Sequence, residues 1–453
     1  MRLRRAAGAL LGLGAFAMAG HAGGPANSRA MARLDAELAA VVADPAHPLA
    51  SLSVLAIRDG EVAYHRQFGH RWIDNERPSN SKPAGPATQY RIASISKLVV
   101  ALGVLKLVED GKLGLDEDVS GYLGFRLRNP HFPDSPITLR MLLTHTSSLR
   151  DDGGYSWPEN QRIRDVLVPG GALHGSGAMW SDEAPPGAYF RYANLPWGVI
   201  GTVMERVTGE RFDRLMRRLI LEPVGMHGGF SPADMAAAHV ANIATLYRKR
   251  SDAEGKEAWD PKGPWIPQVD DYSREAPRPR AGPMYEIGSN GTLFGPQGNL
   301  RASAADLGRL MRMLLQEGEI DGRRVLAKET VRRFFERQWT FDRRNGESGY
   351  GTKRDRYQAW GLGNQHFLDV SGPGSGDRLV EGGGFVGAGH LGDAWGLTGA
   401  LVLDTRTRTG LLFLTGGPGF DPDSYPGRYS AFARHEEIIL TALYRRAVQR
   451  RAD

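Results

Sequence analysis

An α+β fold is expected, with one antiparallel sheet built from both ends of the chain and a mostly helical region inserted between them. Three observations lead there. A strand–turn–strand pattern stands near the start, a second stands near the end, and the stretch between reads as helices separated by Gly- and Pro-rich loops. Connections that avoid crossing favour a closure in which the two terminal hairpins lie side by side. No composition shift, repeat or low-complexity linker marks a boundary, so residues 23–453 are expected to form one domain.

In chain order, residues 1–22 combine Arg2, Arg4 and Arg5 with a short apolar run and small residues, the pattern of a signal peptide. That predicts an exported protein, periplasmic or secreted. The apolar run falls short of the roughly 20 residues a spanning helix needs, so no stable membrane span is expected. "NSRAMARLDAELAAVVAD" then has helical periodicity with Asn27 or Ser28 as cap. "LASLSVLAIRDGEVAYHRQFG" reads as a hairpin turning on Asp59-Gly60, a favoured pair for tight turns.

The run from Ile95 to Val108 is almost wholly apolar and free of proline, the mark of a helix buried on most sides, and Ser94 stands at its N-cap. Further helices are expected in "TLRMLLTHTSSL", "LPWGVIGTVMERVTGERFDRLMRRLI" and "SAADLGRLMRMLLQEG". Two polar stretches, 248–280 and 341–377, are long for ordinary connections and are expected to border a site. "TGALVLDTRTRTGLLFLTGG" forms the second hairpin, and "YSAFARHEEIILTALYRRAVQR" a closing amphipathic helix.

Composition narrows the function. The chain is 41% hydrophobic and 24% charged, as globular enzymes are, and half of its +6 formal charge sits on the three leader arginines. The remainder is too mild to argue for nucleic acid. With no cysteine there is neither a disulfide nor a thiol nucleophile. The twelve histidines fall in no metal-binding spacing, and Gly382 to Gly387 satisfy G-x-G-x-x-G without a following helix, so neither metal nor cofactor is expected.

One residue is out of place electrostatically. Lys97 lies in the first turn of the apolar helix, where the macrodipole already carries about half a positive charge. Burial and dipole both favour its neutral form, and spacing puts it on the face of Ser94. A neutral amine there could take the hydroxyl proton and make Ser94 a nucleophile. Ser96 is the rival hydroxyl, but adjacent residues do not face each other on a helix. Tyr192 and Asn194 form a Y-x-N ahead of a helix. A tyrosine pointing at a cationic lysine would have its phenolate stabilised and could act as general base. Asn194 could orient Lys97 or bind a substrate amide, or simply cap the helix at Leu195-Pro196. His390 and Gly392 share a face of an expected edge strand, where glycine would let a substrate backbone approach.

These three motifs in this order, with the flanks "LLTHTSSL", "VTGERFDRLMRRLILEPVGM" and "GNLRASAADLGRLM", resemble the serine β-lactamase, penicillin-binding protein and DD-peptidase superfamily. The likeness is to its class C β-lactamase-like branch, which includes esterases and D-aminopeptidases, and it covers most of the chain. It implies Ser94 as acylated nucleophile, Lys97 as its proton acceptor, and Tyr192 as general base and acid. Asn194 would help position substrate, and the oxyanion would rest on the backbone N–H groups of Ser94 and Asp393. Strand alternation should turn the Asp393 side chain away.

The implied substrates are small esters, amides or D-amino-acid peptides. The alternatives are a β-lactamase or DD-carboxypeptidase, and a non-catalytic binder of peptidoglycan-like peptides. Two departures stand out. His390 replaces the usual Lys that attracts a substrate carboxylate, and Ser148 stands where Gly is common. His145, in "LLTHTSSL", is read as a structural histidine at a helix end.

Overall fold

The computed structural model describes residues 25–253 and 256–449, so the leader expected over 1–22 lies outside the described residues. Helix α1 (Pro25–Val42) starts before both expected caps, so Asn27 and Ser28 already lie within it. Strands β1 (Ser51–Arg58) and β2 (Glu61–Trp72) are joined at Asp59 and Gly60, both at positive φ (55° and 85°) as the tightest hairpin turn requires.

The second expected hairpin is also present, from Leu397–Asp404 and Thr409–Thr415. Its second strand pairs antiparallel with β1, Val54 opposite Phe413. The chain ends therefore meet in the middle of a nine-stranded sheet. Its order is Trp339–Thr340, Ala359–Trp360, Gln365–Phe367, Gly387–Ala394, Leu397–Asp404, Thr409–Thr415, β1, β2 and Lys82–Pro83.

Alternation along β1 splits the core into two layers. Val54 and Ala56 face α1 and the closing helix Arg434–Leu443, packing with Leu34, Leu38, Leu440 and Leu443. Leu55 and Ile57 face the helical region, whose centre is α2 (Ile95–Glu109). Helix α2 is buried on nearly every side, as its continuous apolar sequence demands. At Gly103 an added Cβ would lie 2.6 Å from Met216 Sδ, so the absence of a side chain lets the segment from Phe212 pack against α2.

Three expectations change. The 248–280 stretch is not a plain loop: Leu246–Ala253, Lys256–Trp259 and Trp265–Val269 form a separate three-stranded sheet. The 341–377 stretch supplies Ala359–Trp360 and Gln365–Phe367 to the main sheet, elements too short to leave a periodic signal. The His390 strand, Gly387–Ala394, is not an edge strand but fourth in the sheet. Its pairing with Gln365–Phe367 nevertheless ends at Gly389, so residues 390 to 394 are laddered on one side alone. Among the described residues, no helix is long and apolar enough to cross a membrane.

Candidate active site

The site is built around the start of α2. Ala93 sits at φ 46°, a left-handed conformation that costs a non-glycine residue about 1–2 kcal/mol, and it turns the chain from the strand Gln89–Arg91 into the helix. Ser94 follows in helical conformation, and its side chain caps nothing, contrary to the expected N-cap role. Its hydroxyl instead meets Lys97 Nζ at 2.9 Å. Ser96, the rival, is spent elsewhere, its Oγ accepting from the Leu300 N–H at 3.1 Å.

Lys97 is fully buried and has two further partners, Asn194 Oδ1 at 2.8 Å and the Gln297 carbonyl at 3.0 Å. Burial pulls its pKa down to about 7, with the Asp151 charge opposing. The partner set also orients the neutral amine. Asn194 Oδ1 and the Gln297 carbonyl can only accept, so they take the two N–H bonds. The protonated amine donates to Ser94 Oγ as well, and in the uncharged form the lone pair is left toward that hydroxyl. The amide orientation of Asn194 is itself fixed, because its Nδ2 donates to Asp151 Oδ2 at 2.8 Å.

Asp151 was not legible as a site residue. Its carboxylate also accepts the backbone N–H groups of Asn194 (2.8 Å) and Leu195 (2.9 Å), so it caps the helix Leu195–Thr208 from 43 residues away. Asn194 therefore makes no side-chain cap of its own. Burial raises the pKa of Asp151 despite these donors.

Tyr192 is clamped by rings. His145 stacks on it at 4.5 Å and Tyr357 at 5.4 Å, while Trp360 meets it edge-on at 5.8 Å. Lys97 Nζ lies 5.0 Å from the ring centroid, over its face. Burial raises the Tyr192 pKa well above its ordinary value, with the Ser94 hydroxyl a smaller opposing influence. Burial thus keeps the phenol protonated at rest, against the phenolate that a cationic lysine would favour. His145, with φ 57°, accepts the Ala193 N–H on Nδ1 at 3.2 Å. That bond ties His145 to the Tyr192 loop.

His390 donates from Nδ1 to the Leu391 carbonyl at 2.6 Å, leaving the Nε2 lone pair unpartnered. Burial, then Lys97, drives its pKa to about 3, so the imidazole is neutral. It stands 6.2 Å from the Tyr192 ring and meets Trp360 edge-on at 5.5 Å. At Gly392 an added Cβ would lie 2.7 Å from the Ile92 carbonyl. The glycine is needed first for the strand's own approach to the turn that carries Ser94, and not only for a substrate. Asp393 is in register with Thr398; burial raises the pKa of its carboxyl, with Arg356 opposing and Glu436 adding to the rise. Strand alternation places the side chain on the face opposite His390 and Gly392, and its charge acts on Tyr350 and Tyr357 beside Tyr192.

The three motifs thus converge within one buried cluster, and the 341–377 stretch borders it through Tyr350, Tyr357 and Trp360. A hydroxyl, a neutral amine and a protonated phenol in contact can pass a proton among themselves, the elements of acyl transfer.

The sequence profile of the family described as Beta-lactamase matches residues 31–434. Protein flp of Staphylococcus aureus (strain N315) is 28% identical over 195 residues, which span 42% of this chain but only 36% of that relative. In fold, the chain is similar to the octameric penicillin-binding protein homologue from Pyrococcus abyssi, with a TM-score of 0.59 and 23% identity, covering 87% of this chain and 75% of that one. It is also similar to D-amino acid amidase from Ochrobactrum anthropi SV3, with a TM-score of 0.56 and 18% identity, covering 85% and 92%. The chain belongs to the beta-lactamase family, and its sheet of N- and C-terminal strands with inserted helices is that family's fold.

Proposed function

We propose that this member of the beta-lactamase family is a serine hydrolase that works through an acyl-enzyme on Ser94, with small esters or amides as substrates, D-amino-acid amides and peptides among them. The observation that carries the reading is the contact of Ser94 Oγ with a fully buried amine whose other two partners only accept hydrogen bonds. In the first step Ser94 Oγ bonds to the substrate carbonyl carbon while its proton passes to Lys97 Nζ. The backbone N–H groups of Ser94 and Asp393 hold the oxyanion. Tyr192, protonated at rest, gives its proton to the leaving alkoxide or amine and is reprotonated from Lys97. Water then attacks the acyl carbon, its proton passing to the Tyr192–Lys97 pair and on to Ser94 Oγ as the Oγ–acyl bond breaks and the acid leaves.

The neutral His390 weakens the attraction for a substrate carboxylate, which favours esters and amides over β-lactams. The likeness in fold to a D-amino acid amidase supports the amide class. Export to the periplasm or the cell exterior belongs to the same reading and rests on the leader sequence alone. A fluorophosphonate probe should leave a phosphonylated Ser94 by mass spectrometry, absent in Ser94→Ala. A folded protein that takes no adduct would instead make the chain a binder. Short-chain p-nitrophenyl esters and D-amino-acid amides should turn over faster than nitrocefin. The reverse ranking would assign a β-lactamase.

A further inference from the structure

Away from Ser94 lies a concavity of about 540 Å³ whose lining includes none of Ser94, Lys97, Tyr192, Asn194 or His390. Its volume is within the ordinary range for small-molecule sites. The end of β2, the segment from Pro232 to Thr245 and the chain from Tyr272 to Pro277 enclose it. Trp72, Met235, Val240 and Ile243 make its walls largely apolar.

Its charges are one-sided. Arg71, Lys82 and Arg274 line it, and the single acidic side chain in the lining, Glu275, is already paired with Arg278 at 2.8 Å. Lys82 Nζ is held over the Trp72 ring at 5.5 Å, and Arg71 donates to the Pro83 carbonyl at 3.0 Å, so both have the free donors a ligand needs.

The wall behind reinforces the sign. Tyr272 and Thr245, both in the lining, donate to Asp270, through its carboxylate at 2.9 Å and its backbone carbonyl at 3.4 Å. That carboxylate is bound bidentate by the buried Arg301, at 2.6 and 2.9 Å. Arg91 and Arg280 are also sunk within electrostatic reach of the pair, and neither makes an ion pair among the described residues. Three guanidinium groups therefore share one carboxylate. Surplus positive charge behind a low-dielectric wall projects a positive potential into the cleft.

We infer that this cleft is a binding site for a small amphipathic anion, with a carboxylate or phosphate-monoester head held by Arg71, Lys82 and Arg274 and an apolar or aromatic body lying against Trp72, Val240 and Ile243. Such a ligand satisfies both halves of the lining. A neutral apolar compound leaves the cations unused, and a bare anion leaves the apolar wall wet.

Calorimetric titration of the whole chain with 4-phenylbutyrate, phenyl phosphate, inorganic phosphate and 4-phenylbutyramide tests this. The first two should bind, and each of the last two should bind at least about tenfold more weakly. Ser94→Ala and a fluorophosphonate-labelled sample should bind equally well, which separates this site from the proposed chemistry. The double variant Arg71→Ala/Lys82→Ala should weaken 4-phenylbutyrate by about tenfold or more, and Val240→Glu, at a part-exposed position, should abolish binding while leaving the circular dichroism unchanged. Phosphate binding as tightly as phenyl phosphate, the amide as tightly as the acid, loss of binding on Ser94 labelling, or indifference to both variants would overturn the inference.

Discussion

Two buried cations in this molecule meet opposite fates. Lys97 and Arg301 are both almost wholly hidden from solvent. Arg301 has a bidentate carboxylate in Asp270, which raises its pKa further against the cost of burial. Lys97 meets only a hydroxyl and two carbonyl-type oxygens, with the nearest carboxylate, Asp151, one residue removed behind Asn194. Its pKa falls to about 7. Burial is common to both, so partner chemistry decides which keeps its proton firmly and which can lose it near neutral pH.

The comparison can be broken from either side. The largest effect is expected from Lys97→Ala, which removes the acceptor and should slow acylation of Ser94 by about a thousandfold or more, measured by single-turnover labelling. A change under tenfold would mean that Tyr192 suffices. Next comes Asp270→Asn, which leaves Arg301 charged and unpaired. It should cost about 3–5 kcal/mol of stability in urea unfolding, and a cost near zero would show that the arginine cluster finds water.

Asn194→Asp turns the lysine into a neighbour of a carboxylate, the arrangement at Arg301. An anion favours the ammonium, so the rise of activity with pH should move up by about one unit or more. Activity measured across pH 5–10 checks it. Asp151→Asn is the smallest change. It removes an anion that favours the charged lysine, so the rise should move to lower pH by less than about one unit. A shift in the opposite direction would exclude Asp151 from tuning the amine.

The same signs apply to stability. Lys97 is depressed in the fold relative to its ordinary value of 10.5, so the unfolded chain binds the extra proton between about pH 7 and 10.5. The penalty for burying it is full below pH 7 and lifts as pH rises through that window. Lys97→Met should therefore stabilise the protein most at low pH.

What the sequence could disclose follows from distance along the chain. Ser94 with Lys97 and His390 with Gly392 are local spacings that helix and strand periodicity put on a shared face, and Tyr192 with Asn194 is a short motif just ahead of a helix. The hairpin at Asp59-Gly60 was legible for the same reason. Asp151 was not, because it caps a helix that begins 44 residues later and no local pattern records that. Gln297 acts through its backbone carbonyl, which every residue has. Tyr350, Tyr357 and Trp360 sit in a stretch whose strands are two or three residues long, so their convergence on Tyr192 appears only in three dimensions. The spacing also could not reveal how deeply Tyr192 is buried, and it is burial that holds its phenol in the protonated form at rest.

The protonation state of Lys97 is the point on which the chemistry turns, and it can be read directly. In protein carrying ¹³C at the lysine side chains, the Lys97 Cε resonance, identified by its loss in Lys97→Arg, should titrate with a midpoint near 7. A midpoint near 10 or above would leave Ser94 beside a permanent ammonium and contradict the account.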